Sequence, residues 1–198
     1  MRGPVPRKQT TNGIDFGLGT GFGIAWMAIL CISAFVSLGS IAWHVTAMRD
    51  KRFIAQHRGG LLSKEQHCQL IEWACDCAQH VLYFFGERVD VRLQRALDVG
   101  RQWKQGNASV GDARKASVDA IRVAKESSTT TAIAVARSIG HAVATAHMAD
   151  HSLGAALYAL KAMEHAGQPT DRERQWQDRQ LPPEIRNIVL TARVNRRI

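Results

Sequence analysis

The sequence predicts an all-α protein, a bundle of six or seven antiparallel helices joined by short loops. Apolar residues recur at three- and four-residue spacing along most of the chain, as they do on the buried face of a helix. No segment shows the alternation of apolar and polar residues that is typical of a half-buried strand. Glycine, proline and capping residues divide the chain after Met48 into segments of helical length.

The longest helical segment is residues 131–166, which we expect to form the centre of the bundle. Large apolar residues follow the helical period along it, and alanine fills many of the positions between them. Small residues let neighbouring backbones approach closely, so this segment is predicted to be covered on several sides. Because aspartate is a favoured N-cap residue, Asp150 marks a position where the segment can divide into two helices.

Start and stop signals define the first two helices. Ser63 and Gln66 have the spacing of a capping box, which predicts that a helix begins there. Gly86 is expected to end that helix, since glycine readily adopts the left-handed conformation found after helix C-termini. Asp90 is expected to cap the second helix and Gly106 to end it.

Similar signals define the later helices. Ser109 is expected to cap a third helix, whose inner face would carry Ala113, Ala116, Ala120 and Ala124. The polar segment 127–131 supplies a cap for the central segment. A further helix is predicted to begin at Asp171, and Pro182-Pro183 predicts the start of a last helix over residues 184–193, because proline is favoured in the first turn.

The net charge of the chain permits several classes of partner and defines no binding face. The net charge is +9, from 26 Lys and Arg against 17 Asp and Glu. Such a balance permits attraction to nucleic acid, an anionic membrane or an acidic protein. Cations and carboxylates are mixed on every predicted helix, however, and basic and aromatic residues do not interleave as in a single-strand binder. Nucleic acid is therefore not an expected partner.

The cysteines predict thiols rather than a disulfide framework. Cys31 lies in an apolar run, whereas Cys68, Cys75 and Cys77 fall on one predicted helix. Four cysteines are too few to hold together a chain of this length, and no second cluster completes a metal site. We expect buried, reduced cysteines, which favour a reducing compartment.

The first 47 residues differ in composition from the domain predicted over residues 48–198. Residues 17–43 carry no charge, and a helix of that length would extend about 40 Å, enough to cross a hydrocarbon core of roughly 30 Å. This segment is predicted to be a single-pass anchor of the inner membrane outside the domain, with its C-terminal side in the cytoplasm because more basic residues follow it than precede it. Alternatively, Met48 is the true start, and residues 1–47 are upstream sequence read in frame from Met1.

The densest set of ligating side chains is the run HMADH at residues 147–151. On one continuous helix His147 and His151 would lie about 40° apart and one turn from each other, with Asp150 alongside. That spacing is typical of paired metal ligands, for which a carboxylate serves as third ligand or orienting group. His141 would point about 120° away from His147. The alternative is that these histidines hydrogen-bond within an alanine-rich core.

Catalytic motifs are missing from the sequence. A metal site would need another ligand from elsewhere in the chain, for which His67 and His80 are candidates by residue type. There is no glycine-flanked serine elbow, no P-loop and no glycine fingerprint of a dinucleotide site. The sequence therefore favours a protein that is not an enzyme and has no cofactor, with a helical metal-binding protein or metalloenzyme as the alternative.

Residues 48–193 resemble the Imm-five-like group of bacterial immunity proteins, which is associated with polymorphic toxin systems. The stretches that carry the resemblance are MRDKRFIAQHRGGLL, EWACDCAQHVL, RALDVGRQWKQGNASVGDARKAS, SIGHAVATAHMADHSLGAALYALKA and ERQWQDRQLPPEIRNIVL. The resemblance implies an α-helical protein that neutralises a cognate toxin by binding it. It implies no catalytic residues.

A binding role predicts a surface with exposed cations. Interfaces draw affinity from arginine or aromatic anchors and from complementary charge, so a basic domain suggests an acidic partner surface. By helical position, the cations expected to contact the partner are Arg92, Arg95, Arg101, Lys104, Arg114 and Arg122. If residues 17–43 are an anchor, a membrane-tethered helical scaffold is a further alternative.

Overall fold

The structure is a computed structural model that describes residues 50–196, and this part of the chain contains seven α-helices and no strand. The helices are α1 Lys64–His80, α2 Val91–Gln105, α3 Val110–Glu126, α4 Thr130–Ala144, α5 His151–His165, α6 Thr170–Arg179 and α7 Pro183–Arg196. Short 3-10 helices cover Lys51–Phe53, Gln56–Arg58 and Leu82–Phe85. The prediction of an all-α bundle of six or seven helices is confirmed.

The predictions for the N-terminal segment fall outside the described residues. These are the hydrophobic helix and anchor at residues 17–43, the domain boundary after residue 47, and the choice between Met1 and Met48 as the start. From residue 50 to residue 196, no helix has both the length and the apolar character needed to cross a membrane.

Most predicted caps are confirmed. The Ser63 hydroxyl accepts a hydrogen bond from the Gln66 backbone N–H at 3.1 Å, and the Gln66 side chain accepts one from the Ser63 N–H at 3.1 Å. Asp90 and Ser109 accept hydrogen bonds from the first turns of α2 and α3 in the same way. Each cap pairs a backbone N–H that would otherwise have no partner inside the helix.

The predicted end of the first helix is wrong by six residues. α1 ends at His80, and the chain continues as a 3-10 helix before it reaches Gly86. Val81 and Leu82 are both buried. The 3-10 segment therefore continues the buried surface of α1 as far as Leu82, and Gly86 follows this segment and not α1.

The central segment divides as predicted, although the mechanism differs. α4 ends at Ala144 and α5 begins at His151, with a turn between them. Asp150 holds the N-cap position of α5, but its side chain does not cap the helix. The Thr145 hydroxyl instead donates to the His141 carbonyl at 3.2 Å, and the Ser152 hydroxyl donates to the Ala149 carbonyl at 2.7 Å.

α4 lies at the centre and packs against α1, α2, α3 and α5. Its own buried face is rich in alanine, and the alanines predicted for the inner face of α3 are buried as well. Gly140 brings the α4 backbone close to α3, since a Cβ there would lie 2.7 Å from Ile121 Cδ1. The larger core therefore lies among the first five helices. A smaller core joins Phe53, Leu62 and Trp73 to residues of α5 and α7.

A buried polar network attaches α6 and α7 to this bundle. Glu173 is buried and accepts hydrogen bonds from Gln177 Nε2 at 2.9 Å and from His80 Nδ1 at 2.7 Å. Arg193, which is 5% exposed, donates to the Gln177 side-chain oxygen and to Asp178. Every charged member therefore has a partner of opposite charge or a hydrogen bond, as burial requires.

We expect Arg193→Met to lower the free energy of unfolding by about 2–4 kcal/mol, because it leaves the buried Gln177 oxygen without that donor and Asp178 without that cation. Urea unfolding followed by circular dichroism measures the change. The matched control is Arg179→Met, which removes an exposed arginine and should change stability by less than about 0.5 kcal/mol. Equal losses in the two variants would contradict this account of the network.

Candidate functional site

A cavity of about 390 Å³ lies beside the turn between α4 and α5. Its walls are residues 53–58 and Leu62 before α1, Lys64 and His67 of α1, Trp103 of α2, Val110 of α3, and residues 146–149 of the turn. We call this cavity the basic pocket. The chain brings five separate segments together here, so the pocket is a product of the tertiary fold and not of one local motif.

The basic pocket combines an apolar floor with a positively charged rim. Phe53 and Leu62 are each 1% exposed and form part of the floor. His57, Arg58 and Lys64 are exposed at the rim. Neither Arg58 nor Lys64 forms an ion pair with another residue of the described chain, and the lining contains no aspartate or glutamate. The pocket therefore favours an anion over a cation.

His67 joins α1 to the turn that forms the opposite wall. Its Nε2 lies 2.6 Å from the Thr145 carbonyl oxygen, and its ring centroid lies 5.0 Å from that of Trp103. Burial lowers the pKa of His67, and the positive charges of His57 and Arg58 lower it further against the opposing effect of the Thr145 hydrogen bond. The neutral ring donates Nε2–H to Thr145, which leaves Nδ1 as the acceptor nitrogen.

The predicted arrangement of the HMADH histidines is wrong in its geometry. His147 lies in the turn after α4, while His151 is the first residue of α5, so the two do not share one helix face. Their ring centroids are nevertheless 5.2 Å apart. His141, which was predicted to point about 120° away from His147, pairs with His151, and the two Nδ1 atoms lie 3.1 Å apart. The two histidines meet because the chain reverses direction between the helices, which brings the first turn of α5 beside the last turn of α4.

A glycine makes room for this histidine pair. A Cβ at Gly154 would lie 2.7 Å from His141 Nδ1, so the imidazole of His141 occupies the space that a side chain would need. At a separation of 3.1 Å one facing nitrogen donates and the other accepts, and the pair shares a single proton on that side. Protonating both facing nitrogens would set two N–H donors against each other with no acceptor between them.

The surroundings of the histidine pair oppose positive charge. Burial, then the neighbouring His151 and Arg137, lower the pKa of His141 to about 4. The His141 ring also stacks on Tyr158 at a centroid distance of 5.2 Å, and the Lys161 ammonium lies 5.2 Å from the centroid of the Tyr158 ring. The arrangement therefore suits a neutral His141 imidazole better than an imidazolium ion.

The metal-site prediction receives no geometric support from His147, Asp150 and His151. Within residues 50–196 no group of three or more His, Cys, Asp or Glu side chains is placed to hold a metal ion. The charge of Arg137, which helps to lower the pKa of His141, would repel a cation there. Between α4 and α5, His141 and His151 form a hydrogen bond and a ring contact.

The cations predicted for the binding face are mostly neutralised within the domain. Four have carboxylate partners, namely Arg92 with Asp90 and Glu126, Arg101 with Asp76, Lys104 with Glu72, and Arg122 with Asp119. Arg95 and Arg114 form no ion pair with any residue in the described range. The groove between α2 and α3 also mixes cations with Asp98, Asp112 and Asp119. This face is therefore less distinctly positive than the basic pocket.

Sequence reasoning did not identify His57, Arg58 and Lys64 as a group. The available signal was the excess of basic residues in the short segment before α1, which contains Asp50 as its only acidic residue up to Lys64. Their convergence with Trp103 and His147 depends on the packing of α1 and α2 against the α4–α5 turn, which no local pattern reports.

Comparison with known proteins identifies a family. A family model described as "Imm-5 like putative immunity protein" matches residues 60–184, which is more than half of the chain. No curated protein and no solved structure matches. The matched range contains α1 to α6 and the α4–α5 turn, whereas residues 53–58 of the basic pocket precede it.

We expect His141 to make stability fall as the pH is lowered from about 6.5 towards 4. In the unfolded chain a histidine takes up its proton near pH 6.5. In the folded chain the pKa of His141 is about 4, so the unfolded state binds more protons throughout that interval. The contribution of His141 to the free energy of unfolding is fully present above pH 6.5 and is fully lost below about pH 4.

Urea unfolding at a series of pH values, with an NMR titration of the His141 ring, tests this expectation. His141→Gln should show a smaller loss of stability across the interval. His165→Gln, an exposed histidine at the end of α5, should behave like the wild type. The interpretation is wrong if His141 titrates near its ordinary value.

Proposed function

The chain belongs to the Imm-5-like family of immunity proteins, and we propose that it binds and neutralises a cognate protein toxin without catalysing a reaction. The family match over residues 60–184 is the observation that carries this proposal. The matched segment includes the central helix α4 and every helix that packs directly against it. The proposed function therefore belongs to the whole helical bundle.

The distribution of charge supports binding to an acidic protein surface. Most of the cations on α2 and α3 that were predicted to contact a partner form ion pairs within the domain, whereas Arg58 and Lys64 project from the rim of the basic pocket. Exposed charges of one sign steer an oppositely charged partner and increase the rate of association. The basic pocket is the part of the described surface that best fits this role.

The environments of the reactive side chains support a non-catalytic role. Cys75 and Cys77 are buried, and burial raises the pKa of the Cys75 thiol to about 12 and that of Cys77 well above its usual value. A buried thiol that stays protonated is a poor nucleophile. Glu173 is likewise buried and engaged by His80 and Gln177, which suits a structural role.

The state of the cysteines supports a cytoplasmic site of action. Cys68, Cys75 and Cys77 are free thiols on α1, which is typical of proteins in a reducing compartment. We place neutralisation in the cytoplasm on this basis.

The test is mass spectrometry of the proteins that co-purify with the natively expressed chain carrying a C-terminal tag. We expect a near-stoichiometric protein that is toxic when expressed alone and harmless when this chain is present. Association should slow as salt is added, because charge steering is screened over about 10 Å at 0.1 M salt. Recovery of the chain alone under every growth condition, or a partner without toxicity, would contradict the proposal.

A further inference from the structure

We infer that the basic pocket binds a carboxylate group carried on an apolar or aromatic body. The identity of the carrier rests on the proposed function: in the neutralising complex it is an acidic side chain or C-terminus of the toxin. The chemistry of the site itself rests only on the residues that line it. A free small carboxylate would offer the same chemistry from a second source.

The size and floor of the pocket fit the body of such a ligand. A volume of about 390 Å³ lies within the range of roughly 300–1,000 Å³ found for small-molecule sites. In its lining, the exposed Val110 and the partly buried Met148 leave apolar surface open to water. Trp103 contributes an aromatic ring that is partly buried. A ligand with an apolar or aromatic body would exclude water from this surface and gain free energy.

The rim fits the carboxylate. Arg58 presents a planar guanidinium, which can bind both oxygens of a carboxylate, and Lys64 adds a compact positive charge. Both residues line the pocket, and no aspartate or glutamate lines it with them. A ligand cation would meet only like charge here. The pocket therefore discriminates by sign of charge as well as by shape.

The wall that carries His57 and Arg58 is held in place before any ligand arrives. The Leu62 N–H donates to the Ile54 carbonyl at 3.0 Å, and the Gln56 N–H donates to the Leu62 carbonyl at 3.0 Å. At Gly60 a Cβ would lie 1.9 Å from the Ile54 oxygen, so glycine is required for the chain to pass this point. A wall fixed in this way loses little conformational entropy on binding.

His67 provides a local reporter of the bound charge. Its ring lines the pocket, and the nearby positive charges of His57 and Arg58 contribute to lowering its pKa. A carboxylate bound among these groups would oppose their effect, so the pKa of His67 should rise. A neutral ligand of the same shape would leave that electrostatic contribution in place.

The probe is 4-phenylbutyrate, titrated into the full-length chain while the imidazole C–H signal of His67 is followed by NMR. Its neutral analogue, 4-phenylbutyramide, has the same shape without the charge. We expect saturable binding of the carboxylate with a dissociation constant on the order of 1 mM, the scale reached by small ligands of this size. The amide should bind about tenfold more weakly, and only the carboxylate should raise the pKa of His67.

Two double variants separate the pocket from the general charge of the domain. Arg58→Gln with Lys64→Gln should weaken binding of 4-phenylbutyrate by about tenfold, the effect of losing two exposed ionic contacts. The control, Arg179→Gln with Lys125→Gln, makes the same change in net charge at exposed cations outside the pocket and should change binding by less than about twofold. All four residues are exposed, and thermal unfolding verifies that both variants remain folded.

Three results would overturn the inference: no saturable binding of the carboxylate, equal binding of carboxylate and amide, or equal weakening by the two double variants. If the carboxylate binds and a purified toxin displaces it, the carrier is the toxin. If it binds equally well to the chain saturated with toxin, the source is a free carboxylate. A toxin recovered without any carboxylate binding would reject this site and leave the proposed function standing.

Discussion

The close approach of α4 to its neighbours is the constraint on which the rest of the structure depends. Gly140 allows Ile121 of α3 to lie against the helix backbone, and the Ser138 hydroxyl donates to the Ala155 carbonyl of α5 at 2.8 Å. Larger residues would separate these helices and lose the dispersion contacts that a dense core provides. Because α4 is packed against four other helices, the position at which the chain leaves it is fixed.

The point at which the chain leaves α4 positions two polar features at this end of the bundle, the basic pocket and the histidine pair. The Thr145 carbonyl receives the hydrogen bond from His67, which holds α1 against the turn. His147 lines the basic pocket, and its ring lies beside that of His151, whose Nδ1 meets Nδ1 of His141. The pocket and the histidine pair are thus built on one turn. A change that moved the end of α4 would disturb both features.

The sequence predicted the parts of the structure that depend on nearby residues. The Ser63 and Asp90 side chains cap backbone N–H groups that lie only two or three residues further along the chain, so local spacing in the sequence predicts them. The pairing of His141 with His151 could not be predicted, because it depends on where α4 stops and in which direction α5 returns. The internal partners of Arg101 and Lys104 lie on α1, so helical position alone presented these cations as available.

The two charged regions of the domain have different roles. Around Glu173 and Arg193 the charges are buried and neutralised, so their electrostatic cost is offset within the fold. At the basic pocket, Arg58 and Lys64 are exposed and no carboxylate lines the pocket with them, so their charge is compensated mainly by solvent. An anion that enters the pocket takes the place of that solvent and is attracted by both cations, so their charge can stabilise a complex.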